Sequence, residues 1–112
     1  MGKNSKQRAE ELKQQVLDQE HMKSMQKQQM VSELKKDYYA LSFIERQLKT
    51  GIMLTKDEQP EMLLLKAEQF KNSIASRRMF LEHQAGMTIG DLEIVYNECK
   101  KKEAAYQYWM VD

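Results

Sequence analysis

Stacked at about 100° per residue, the apolar positions of this chain fall into three stripes. Met30, Leu34, Tyr38, Leu41, Ile44 and Leu48 make the first, and Leu63, Ala67, Phe70, Ile74 and Leu81 the second. Leu92, Tyr96, Cys99, Tyr106 and Met110 make the third, with Val95 beside it. Steps that alternate between three and four residues predict amphipathic helices whose seams pack as in antiparallel bundles. The stripes are not clean throughout: Arg77 and Arg78 approach the second, and Glu103 interrupts the third.

Two junctions separate the stripes. The stretch KTGIMLTKDEQPE carries Gly51 as a helix stop and Pro60 near the next start. A capping box from Thr55 and Glu58 would leave Pro60 deep enough in the helix to lose a hydrogen bond. Asp57 as N-cap, with Pro60 in the first turn, avoids that conflict and is the preferred reading. At the second junction, EHQAGMTIGD, Gly86 suits the left-handed position after a helix and Thr88 the N-cap of the next. Thr88 with Asp91 approximates a capping box, and Met87 with Leu92 a hydrophobic staple. These boundaries predict helices over 30–49, 58–84 and 89–110, of similar length and able to lie side by side.

Projected backward, the first stripe reaches Val16 and Leu12 in phase but passes through Gln19, Lys23 and Gln26 on the way. Residues 1–29 also hold seven glutamines, too polar a segment to bury a core face. The expected architecture is all-α: an antiparallel three-helix bundle over 30–112, built as a helical hairpin plus a long N-terminal helix with coiled-coil-like packing, and a polar N-terminal arm or helix extension over 1–29. That arm either prolongs the first helix as a solvated rod, forms a coiled coil with another molecule, or is disordered.

Composition agrees with helices. One proline and four glycines in 112 residues are too few for the turns of an all-β chain. Eighteen basic against seventeen acidic residues leave a net charge of +1, so the chain as a whole has no electrostatic reason to seek phosphate. A single cysteine forms no internal disulfide and fits a reducing, cytoplasmic setting. The absence of a secretory h-region or a long apolar run argues against secretion and membrane spanning, and the arm's mixed charges and interrupted stripe argue against a membrane-surface role.

Chemistry is sparse. His21 and His83 stand without a second ligand at metal spacing and read as solvated helix residues. Cys99, on an apolar stripe, reads as a buried inert thiol; the alternative is a nucleophile whose pKa Lys100, Lys101 and Lys102 depress. Acid pairs such as Glu10 with Glu11 are expected by chance in helices this charged, and no phosphate loop, nucleophile elbow or zinc pattern occurs. The chain is therefore read as no enzyme, with no cofactor, metal or small-molecule substrate.

What remains points to surfaces. Met22 and Met25 sit off the stripe in the polar arm, and flexible thioethers suit adaptable contacts. In AAYQYWMVD, Tyr106 and Met110 continue the third stripe, while Tyr108 points away from it and Trp109 lies on its flank. Met22, Met25, Tyr108 and Trp109 are the candidate partner-binding residues of a protein-protein interaction module, an adaptor, assembly factor or small subunit of a larger complex, or of a self-associating chain. The runner-up is a nucleic-acid-associated regulator: residues 76–103 read as a helix-turn-helix, with Arg77, Arg78, Lys100, Lys101 and Lys102 as contacts. Against it, Asp91 and Glu93 would face phosphate at the head of the recognition helix. Both basic clusters, Arg77 with Arg78 and the three lysines, read more readily as solvated faces, and Lys102 can pair with Glu98 one turn away.

Overall fold

The computed structural model describes residues 5–52 and 59–110, with side chains as far as Ala104. It contains three helices, α1 (Ser5–Thr50), α2 (Pro60–His83) and α3 (Ile89–Met110), and no strand among the described residues.

No glycine or proline falls between Lys3 and Thr50, and the segment is rich in Gln, Lys, Glu and Leu, all good helix formers. The backbone accordingly runs as one helix of 46 residues, from the polar arm into the first apolar stripe without a break. A free helix of the arm's length and composition is marginal because its first turn is costly to nucleate. Here the packed half of α1 provides the nucleus, and the arm only has to propagate from it. Gly51 ends the helix: its φ of 72° is open to glycine at little cost, and its N–H donates to the Gln47 carbonyl at 2.8 Å.

α2 begins later than the spacing predicts. Its N-cap is Gln59, extended at φ −116° and ψ 147°, and Pro60 takes the first helical position. The cause is steric. A proline disfavours helical geometry at the residue before it, while its own fixed φ suits the first turn, where no N–H is needed. Asp57 itself lies outside the described residues. The α2–α3 junction follows its sequence closely: Gly86 is left-handed at φ 66°, Thr88 N–H donates to Asp91 Oδ2 at 3.0 Å, and Asp91 N–H donates back to Thr88 Oγ1 at 3.1 Å. Met87 and Leu92 are both buried beside this cap.

α1 is the spine. Leu34 and Tyr38 share a buried cluster with Ile74 and Leu81 of α2, whereas Ile44 lies with Leu63 and Ala67, so α2 runs antiparallel to α1. Lys35 pairs with Glu98 and Lys100 reaches Ser42, so α3 runs parallel to it. The larger cluster also takes in Met87, Leu92, Val95 and Cys99, and so draws on all three helices. Among the described residues, the smaller one draws on α1 and α2, with Leu41 touching both clusters.

In α3 the seam is centred on Val95 and not on Tyr96, which is 42% exposed. The two are adjacent, and a seam midway between them fits either; the structure resolves it by laying Tyr96 edge-on against Tyr38, with ring centroids 5.2 Å apart. Tyr106 and Met110 fall outside the described side chains.

The molecule measures 73 × 27 × 24 Å. Its long axis matches α1, about 69 Å at 1.5 Å per residue. A radius of gyration of 21.1 Å far exceeds the roughly 13 Å of a compact chain of this length. The excess belongs to the arm: every residue from Ser5 to Gln29 is exposed, and Met30 is the first to be partly buried.

Candidate interaction surface

Two polar clusters fix how the helices sit on α1, and they use residues that also stand out as candidate contacts. The first lies between α1 and α2. Asp37 is buried, which the list of apolar positions in α1 did not indicate, because a lone aspartate among them reads as solvated. Its Oδ2 accepts from Ser73 Oγ at 2.7 Å and from Arg77 Nε at 2.8 Å. Arg77 also reaches Glu33 at 3.9 Å and places Nη1 3.5 Å from the Met30 sulfur. Burying a carboxylate is costly unless it is paired and hydrogen-bonded in this way. The available signal was a pair of opposite charges, Asp37 within the angular span of the α1 stripe and Arg77 at the edge of the α2 stripe.

The second cluster lies between α1 and α3. Lys100 Nζ donates to Ser42 Oγ at 3.0 Å and to Glu103 Oε2 at 3.3 Å, and lies 5.3 Å from the centre of the Tyr96 ring. Glu98 pairs with Lys35 of α1 at 3.5 Å instead of with Lys102, since a partner across the interface is within reach. Glu103, the polar exception in the stripe, is thereby accounted for on one oxygen.

The five basic candidates therefore do different things. Arg77 and Lys100, both partly exposed, are held in networks between helices, Arg77 between α1 and α2 and Lys100 between α1 and α3. Arg78 is exposed and stands near the Tyr38 phenol, whose pKa burial raises and the Arg78 charge partly pulls back. Lys101 and Lys102 are exposed. Asp91, at the head of α3, is committed to the cap; its hydrogen bonds with Thr88 hold its carboxyl below the usual range.

Cys99 is 1% exposed, and burial pushes its thiol above the ordinary value. Desolvation of the thiolate outweighs the Tyr39 hydrogen bond and the Lys35 charge, which pull the other way. His21 and His83 are exposed. No group of three or more His, Cys, Asp or Glu side chains is placed to hold a metal among the described residues. No described helix is long and apolar enough to cross a membrane.

The partner-binding candidates divide. Met22 and Met25 are exposed on the arm, 60% and 55% respectively. Tyr108 and Trp109 lie outside the described side chains. More telling is the arm's own seam. Leu12 and Val16, in phase with the buried stripe of α1, are 62% and 52% exposed. Between them and the bundle, Lys23, Ser24, Gln26 and Lys27 border an open hollow of about 430 Å³ against Phe80, Gln84 and Ala85. Cations at that point complement the C-terminal end of α2. The seam thus turns polar where α2 stops and apolar again beyond it.

Compared with protein-family models, curated proteins and solved structures, the chain matches none.

Proposed function

We propose that this chain is a non-catalytic protein-protein interaction module, an adaptor, assembly factor or small subunit that a larger complex recruits through α1. One observation carries this reading: a helix that is packed over its second half continues fully exposed from Ser5 to Gln29, and its seam regains Leu12 and Val16 in phase. A globular protein gains nothing for its own core from such a rod. Recognition by an amphipathic helix needs a seam of this kind, and the coiled-coil-like spacing of α1 would extend into the complex. The aromatic turn at Tyr108 and Trp109 is a second contact, since Tyr and Trp are enriched at interface centres.

The nucleic-acid reading is the weaker one. Arg77 and Lys100 are already engaged, and Asp91 and Glu93 sit where phosphate would approach. A pull-down comparing the full chain with versions lacking 1–29 or 105–112 tests the proposal: loss of a partner with either deletion supports it, and retention of every partner by both sinks it. Binding to duplex DNA and to RNA at low and moderate salt is the companion measurement. Strong affinity with a steep salt slope would hand the function to the runner-up.

A further inference from the structure

The arm's charges say which kind of helix it fits, given that the arm is a docking surface at all. At about 3.6 residues per turn, Leu12, Val16, Gln19, Lys23 and Gln26 lie about five turns before Met30, Leu34, Asp37, Leu41 and Ile44. The two sets therefore share one line on α1. In the bundle that line is covered, and its one charged member, Asp37, is met by the opposite charge of Arg77. In the arm the line carries Lys23, with which no acidic group pairs among the described residues.

A second copy is the obvious occupant, and each alignment that matches the seam meets an obstacle. Parallel and in register, Lys23 faces its own counterpart between two glutamine layers, and like charges across a seam are destabilising. Antiparallel with Leu12 opposite Met30, the seam requires a Met30 that already packs against the bundle core and touches Arg77. The same alignment sets Lys13 beside Lys27 and Glu20 beside its own counterpart. A shorter antiparallel overlap, with Leu12 opposite Val16, sets Lys13 against itself and leaves Lys23 facing Ser5.

We infer that the arm docks a helix of a different protein, one with apolar residues opposite Leu12 and Val16 and a carboxylate opposite Lys23. The arrangement repeats, with the charges exchanged, what Asp37 and Arg77 do inside the molecule. Like-charge contacts between copies act at the same time to keep the arm free for that partner.

The test uses the full chain, as wild type and as Lys23→Glu, against synthetic amphipathic helical peptides of about the arm's length. The peptides share apolar seam residues and differ only in bearing Glu or Lys opposite position 23. The wild type is expected to bind the Glu peptide about tenfold more tightly than the Lys peptide, with the preference reversed for Lys23→Glu. Sedimentation is expected to show the wild type alone as a monomer. A preference that does not follow the charge at position 23, or no binding to either peptide, overturns the inference. So does a wild-type dimer that is lost when residues 1–29 are removed; that result would leave the interaction role standing and change only the occupant. Lys23 is exposed, so an unchanged helical circular dichroism spectrum confirms that Lys23→Glu still folds.

Discussion

The two halves of α1 share one continuous backbone and almost the same side-chain line, yet their residues live in different solvents. Leu34 is completely buried, whereas Val16, about five turns earlier on that line, is 52% exposed. Asp37 is met by Ser73 and Arg77, whereas Lys23 borders an open hollow. Helicity is thus no measure of what a segment contributes to the core. The packed half is stabilised by burial, and the arm by propagation from it, so substitutions in the two halves should report different quantities.

The sharpest contrast comes from truncating matched leucines. Leu34→Ala should cost about 2–5 kcal/mol in a urea unfolding experiment, because it empties a fully enclosed site. Leu12→Ala should stay within about 0.5 kcal/mol. A comparable loss from Leu12→Ala would mean that the arm is covered in solution.

Next is the ion pair that distinguishes Asp37 from Lys23. Arg77→Met should destabilise by about 1–3 kcal/mol, since it leaves the Asp37 carboxylate enclosed and without its cation. Adding Asp37→Leu should recover part of that loss, and a double-mutant cycle measures the coupling. Additive losses would show that the two residues act separately.

The cap at the head of α3 gives a smaller effect. Thr88→Ala should cost about 1 kcal/mol, by the same unfolding measurement, because it removes one half of a reciprocal pair.

Smallest of all is a segment of the pH profile. Folding holds the Asp91 carboxyl below its unfolded value through the Thr88 hydrogen bonds. Its contribution is therefore complete above about pH 4 and disappears as the pH falls through the folded-state value, because the unfolded chain takes up the proton first. Denaturant midpoints followed from about pH 5 downward should fall less steeply in Asp91→Asn than in the wild type. An identical slope would remove Asp91 from the acid response.

How much of this was readable beforehand follows from how far each signal extends along the chain. Leu63, Ala67, Ile74 and Leu81 could be placed in the seam because helical periodicity is a local property. The cap could be placed because Gly86, Thr88 and Asp91 fall within one turn and loop. The start of α2 moved because Pro60 constrains its neighbour more strongly than an aspartate cap draws the helix back. Val95 and Tyr96 could not be ordered, because either fits the phase and only Tyr38, far away in sequence, decides between them. Asp37 was invisible for the same reason: its enclosure depends on Ser73 and Arg77 in another helix. Arg77 and Lys100 read as surface charge when each was considered on its own helix, and the network each joins lies between helices.

A continuous α1 also acts as a gauge. Leu12 stands about 33 Å along the axis from Leu34, and with no glycine or proline between them the helix fixes both the distance and the direction in which Leu12 faces. Removing two residues between 17 and 29 would draw a bound partner only about 3 Å closer, yet turn it by about 200° around the axis. Removing seven would shorten the rod by about 10 Å and restore the facing to within about 20°. A complex assembled on this rod, as proposed, would therefore sense insertions and deletions by their remainder within a helical turn more than by their length.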